Sequence, residues 1–158
     1  MRPQHDHGTA THQSIMEADM SKEIASQWLK EITDTANAKD HLAHMALISK
    51  RVSLHGMPEY EGVKYDDWFR QCKHEFENGI LKRLQYDGLK MVSSNDKAIM
   101  FKTFETVEGS DGTVNALGVE ILLEKEEDGK WRMVRERILS PVETARDKLL
   151  PQAEPSTS

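Results

Sequence analysis

The chain has a single cysteine, Cys72, among 158 residues. That excludes an intrachain disulfide and any zinc site built from cysteines alone. Nowhere does it approach the roughly 20 consecutive apolar residues that a membrane-spanning helix needs. Its opening residues, MRPQHDHGTATHQ, lack the apolar run of a secretory signal. Basic residues are outnumbered, 21 Lys and Arg against 27 Asp and Glu, for a formal charge of −6. Nucleic-acid affinity is built from clustered Lys and Arg, so that balance argues against a polyanion partner. There is no GxGxxG loop, no Walker-type loop, no nucleophile elbow and no HExxH. These absences lead us to expect a cytoplasmic protein that binds neither nucleic acid nor membrane and carries no cofactor and no resident metal.

What is present is one domain's worth of amphipathic sequence. Residues 1–14 hold His5, His7 and His12, with almost no large apolar side chain. Such a segment buries too little surface to offset its ordering entropy, so it reads as a disordered tail. Residues 151–158, PQAEPSTS, read as a second tail. Between them, 15–150 reads as one domain with no internal repeat.

The first half of that domain carries helical spacing. Over 15–38 the apolar residues Met20, Ile24, Trp28, Ile32 and Ala36 recur at four-residue steps. Asp40 is placed to cap a short helix over 41–48. Val52 and Leu54 alternate with Ser53 and His55, as on a short strand over 51–56. Over 63–76, Tyr65, Trp68, Phe69, Cys72 and Phe76 share one helix face, with charged residues on the other. The second half alternates instead. Runs over 81–92, 97–107, 113–124 and 131–139 are separated by SSND, EGSDG and EEDG turns, the pattern of an antiparallel meander. Gly88 marks a bulge where the apolar parity changes. On the third run Leu117, Val119, Ile121 and Leu123 share one face, and Ala116, Gly118, Glu120 and Leu122 the other. Helices first and a meander after make an α+β fold, a curved sheet with helices on one face.

Three segments carry a family resemblance. ANAKDHLAHMALISKRVSLHG resembles a first helix, acidic cap, short helix and first strand. YEGVKYDDWFRQCKHEF resembles a glycine-led third helix, and NALGVEILLEKEEDGKWRMVRERIL a last hairpin. In this order they resemble the NTF2-like, SnoaL-like superfamily, the ketosteroid-isomerase-like α+β cone. The resemblance implies about three N-terminal helices packed on a curved, mostly antiparallel sheet that encloses a cavity. It also implies a small, largely apolar ligand, with or without isomerase-, hydrolase- or cyclase-like acid/base catalysis. The fold alone does not decide this, because it carries many unrelated functions.

Matching the ketosteroid-isomerase-like branch puts its proton-shuttle position at His55 or Gly56, and its buried acid at Glu120. That makes His55 and Glu120 the catalytic candidates, as base and as acid or oxyanion partner. Tyr65, Trp68, Phe69, Tyr86, Glu105 and Arg135 are the ligand-binding candidates. The branch's first-helix tyrosine falls near Ile32, which has no polar group. Arg135 offers the arginine of the limonene-epoxide-hydrolase-like arrangement, without two aspartates on matching strands. Each candidate also has a structural reading: His55 on the surface, Glu120 paired with Arg135 or Arg137, the aromatics and Cys72 in the core. His41 and His44, beside Asp40, share a helix face at i and i+3 but do not amount to a metal site. The alternative function is non-catalytic association. In either case the strand over 113–124 is apolar on both faces, and we expect a homodimer through the exposed sheet face.

Overall fold

The computed structural model describes residues 2–147, with the side chains of 18–147 except Tyr60. The tail expected over 151–158 lies outside the described residues, as do the side chains of His5, His7 and His12. The elements run α1 (Arg2–Asn37), α2 (His41–Met45), β1 (Ile48–His55), α3 (Tyr65–Glu77), β2 (Leu81–Ser94), β3 (Ala98–Gly109), β4 (Val114–Lys125), β5 (Trp131–Ile138) and α4 (Pro141–Arg146). The backbone of α1 takes in residues 2–14, part of the segment set apart above as a tail over 1–14.

Helix α1 buries one stripe, Ala25, Trp28, Ile32 and Ala36, at steps of three and four. Its C-terminal end is tied to the sheet in both directions: Asn37 Nδ2 donates to the Leu84 carbonyl at 3.0 Å and Asn37 Oδ1 accepts from the Leu84 amide at 2.8 Å. Asp40 caps α2 by accepting from the Ala43 amide at 3.2 Å. Helix α2 is shorter than the sequence suggests, and β1 starts earlier, at Ile48. The reason is pairing. β1 lies parallel to β5, with Ile48 opposite Met133, and so runs the length of that edge.

The sheet order is β1-β5-β4-β3-β2, antiparallel except at the β1–β5 edge. The inner face carries Ile99, Phe101 and Thr103 of β3 opposite Leu123, Ile121 and Val119 of β4, all essentially inaccessible. Helices α1, α2 and α3 cover this face. The β2–β3 register shifts between Asp87 and Lys90, around Gly88 at φ 80°, so the bulge sits where the apolar parity changes. Thr103 Oγ1 donates to the Gly88 carbonyl at 2.6 Å and fixes the bulge from the next strand.

Helix α4 has no counterpart in the sequence reading. Ser140 caps it, accepting from the Glu143 amide at 3.1 Å, and Pro141 fills the first helical position. It lies on the outer face, where Thr144 is buried against Gly118.

Candidate functional site

Strand parity decides which carboxyls enter the cone. On β3, Phe101, Thr103, Glu105 and Val107 point the same way, inward. On β5, Glu136 pairs with Ile121, an inner-face residue, and is 8% exposed. Tyr86 of β2 pairs with Glu105 and donates its hydroxyl to Glu105 Oε2 at 2.7 Å. With Trp28 and Ile32 of α1 and Trp68, Cys72 and Phe76 of α3, these residues line a cavity of about 140 Å³ between sheet and helices.

The electrostatics of the cavity follow from what it lacks. Among the described residues, no Lys or Arg lines it, and the Glu136 carboxyl has neither a hydrogen-bond nor an ion-pair partner. Burial therefore pushes Glu136 well above the usual carboxylate range, and the nearby Glu105 charge adds to the rise. Burial raises Glu105 as well, while the hydrogen bond from Tyr86 pulls the other way. The two glutamates titrate as a pair. Glu105 is the member more able to ionise, and Glu136 the one that keeps its proton. Burial also raises the Tyr86 phenol, helped by the charges of Glu105 and Glu136. Cys72 is pushed up to about 12, chiefly by burial, so it is a thiol at neutral pH and a wall of the cavity rather than a nucleophile. His44 is lowered to about 4 by burial and stays neutral, its Nδ1 3.0 Å from Thr35 Oγ1. Two acids of unequal proton affinity, facing each other inside a largely apolar chamber, can donate one proton and accept another.

Of the residues singled out from sequence, Trp68, Tyr86 and Glu105 meet at this cavity. Tyr65 and Phe69 pack at the core's edge, Phe69 with its ring centroid 4.3 Å from that of His41. His55 and Glu120 are not brought together, and neither lines the cavity. His55 is partly exposed at the end of β1, with Nε2 2.9 Å from Ser53 Oγ and Nδ1 3.7 Å from Glu61 Oε1. Glu120 points to the outer face, because its neighbours Val119 and Ile121 take the inner one. There it accepts from Arg137 Nε at 3.0 Å and Arg137 Nη2 at 3.2 Å, and from Arg135 Nη2 at 3.4 Å. The Arg137 hydrogen bond holds its carboxyl below the usual range, opposite to what a buried acid catalyst needs. Arg135 is thereby spent on the outer face as well. The cluster continues through Glu143 to Lys102 and Asp147.

Glu136 is the residue that the sequence reading missed. A signal was present: Val134 and Ile138 flank it at two-residue spacing, the pattern of an apolar face with one acid in it.

No family profile matches the chain, and no curated protein matches it in sequence. Solved structures do match. A protein of unknown function with a cystatin-like fold from Nostoc punctiforme superposes with a TM-score of 0.59 at 13% identity, covering 76% of this chain and 91% of its own. A Novosphingobium aromaticivorans protein with the provisional name scytalone dehydratase gives 0.64 at 7% identity, over 78% and 86%. ActVI-ORFA from Streptomyces coelicolor gives 0.59 at 10% identity, over 77% and 97%. At these identities the likeness is one of fold. With helices packed on the inner face of a five-stranded, mostly antiparallel curved sheet, this chain has a cystatin-like fold.

Proposed function

We propose that the protein binds a small, largely apolar molecule in the cone cavity and moves a proton on it, with Glu105 as the base and Glu136 as the acid. One observation carries this reading: Glu136 is a buried carboxyl without a partner among the described residues, on a cavity that also holds Glu105 and Tyr86. Burying such a group without a partner costs stability, and unpartnered buried acids concentrate at sites of chemistry. The neutral Glu136 carboxyl would donate to a developing oxyanion while the Glu105 carboxylate takes the proton. Tyr86 orients Glu105 through its hydroxyl.

The alternative, a non-catalytic association module, is less well supported. The outer face opposite the cone carries Lys102, Glu120, Arg135 and Arg137, partly roofed by α4, rather than a continuous apolar patch. A homodimer through the remaining outer surface is compatible with a ligand-filled cone.

The test uses proton exchange as a substrate-independent readout. Cyclohexanone in D₂O near neutral pD is followed by proton NMR, which reads the loss of its α-hydrogens. The expected result is exchange above the buffer rate that falls at least tenfold in Glu105→Gln and in Glu136→Gln, with unchanged circular dichroism. Exchange at the buffer rate, or equal rates in all three proteins, would contradict the catalytic reading.

A further inference from the structure

The cavity's charge is one-sided. Three acids border it from three elements: Glu75 of α3, Glu105 of β3 and Glu136 of β5. The other titratable groups facing it are Tyr86, Cys72 and His44, all of which are neutral near pH 7. Glu75 is engaged at its outer side by Gln71 Nε2 at 2.7 Å, and Glu105 by Tyr86. Glu136 is engaged by nothing among the described residues, although it is more than nine-tenths buried and lies on the cavity wall. The rest of the lining is aromatic or aliphatic, with Trp28, Trp68 and Phe76 prominent.

A carboxylate in that setting has no cation to neutralise it. An anionic ligand would meet three acids and no base. A neutral ligand would leave Glu136 to be held by its own proton beside Glu105. A ligand with an ammonium group would put a cation beside both acids and satisfy the orphaned Glu136 oxygens with N–H donors. The aromatic walls favour it further, since ring faces attract cations in desolvated sites. We propose that the cavity selects a small protonated amine with an apolar body, its ammonium held between Glu105 and Glu136.

This inference rests on the reading of the cavity as a ligand site and names the class of ligand. Binding an ammonium requires the acid pair to give up a proton. Affinity therefore rises with pH through the raised range of the pair and falls again once the amine itself loses its charge.

The test is isothermal titration calorimetry on the full chain near pH 7 with three probes of one shape: benzylamine, benzyl alcohol and benzoate. The expected result is benzylamine binding at least tenfold tighter than benzyl alcohol, with no benzoate binding. Repeating the titration in buffers of different ionisation heat should show proton release on benzylamine binding only. In Glu105→Gln/Glu136→Gln, the preference for benzylamine over benzyl alcohol should disappear. Glu136→Gln alone, which keeps the shape but has no acid proton to release on meeting the ammonium, should weaken it if the double variant does not fold. Equal affinity for benzyl alcohol overturns the amine inference and leaves the cavity a ligand site. Benzylamine binding that survives both variants places the ammonium on the acidic surface and overturns it too. Binding of none of the three overturns both the inference and the cavity reading.

Discussion

A carboxyl inside a protein is held either by cations or by its own proton, and this chain contains both cases on adjacent strands, Glu120 on β4 and Glu136 on β5. Glu120 and Glu136 are each 8% exposed. Glu120 accepts hydrogen bonds from Arg135 and Arg137 and stays ionised. Among the described residues Glu136 has no such donor, and burial favours its protonated form. Their substitutions should therefore behave differently. For Glu136 the folded-state proton affinity is above the unfolded one, so the folded state binds more protons between the two values. Its contribution to stability is complete below the unfolded carboxylate range, near about 4.3, and is lost as pH rises through the raised value. Glu136→Gln should leave stability near pH 4 almost unchanged and raise it at pH 8 by roughly 1–3 kcal/mol, read from urea unfolding midpoints. Glu120→Gln strips the negative charge from beneath two arginines. It should cost roughly 1–3 kcal/mol at neutral pH and leave α-hydrogen exchange and benzylamine binding intact. Exchange that vanished in Glu120→Gln would put the chemistry on the wrong face. The difference between these two acids was partly legible in the sequence. Leu117, Val119, Ile121 and Leu123 mark the inner face of β4, and Glu120 lies between two of them, hence outside. What drew attention to Glu120 was a family match, which followed a sequence position rather than the direction of its side chain.

At the scale of elements, α4 closes the outer side of the sheet. Gly118 makes that closure possible, because a Cβ there would lie 2.5 Å from Thr144 Oγ1 and 3.0 Å from Thr144 Cγ2. Gly118→Ala should displace α4, destabilise the fold by roughly 1–3 kcal/mol and expose the Lys102–Glu143–Asp147 cluster to salt, since overpacking a closed contact forces the backbone to move. Thermal unfolding as a function of salt concentration reads both effects. An unchanged midpoint and salt response would mean that α4 is not locked to β4. The helices and the four-strand meander were legible because their apolar periods of 3.6 and 2 are clean and their turns are rich in Gly and Asp. Helix α4 was not, because a six-residue helix offers too few turns for a period. Its signal, Ser140 followed by Pro141, is a cap without an apolar face. The start of β1 was missed for a different reason. Its parallel pairing to β5 is non-local, and no turn in the sequence announces it.

Among the described residues the charge is sorted by face: ion pairs on the outer side of the sheet, and at the cavity acids with no Lys or Arg beside them. None of its described helices is long and apolar enough to cross a membrane. The outer face keeps partly buried apolar residues, Met100 and Leu122, beside exposed Val92. A homodimer through that surface is expected to elute at twice 18.1 kDa in size-exclusion chromatography with light scattering at micromolar concentration. A monomer at that concentration would rule it out. The general plan of the cone could be read from the order of its elements, but its contents could not. Which acid of β5 faces inside depends on the bulge beside Met133, which moves later side chains to the other face. The central claim is that two glutamates inside the cone titrate as a pair above the usual carboxylate range. The most direct measurement is a carbon-13 NMR titration of the glutamate side-chain carboxyls, in the protein and in Glu105→Gln and Glu136→Gln for assignment. The account predicts one coupled pair titrating well above the other glutamates, with Glu136 the last to ionise and its midpoint falling when Glu105 is neutralised. If every glutamate instead titrates in the ordinary carboxylate range, the cone holds no proton-sharing pair and the proposed chemistry has no seat.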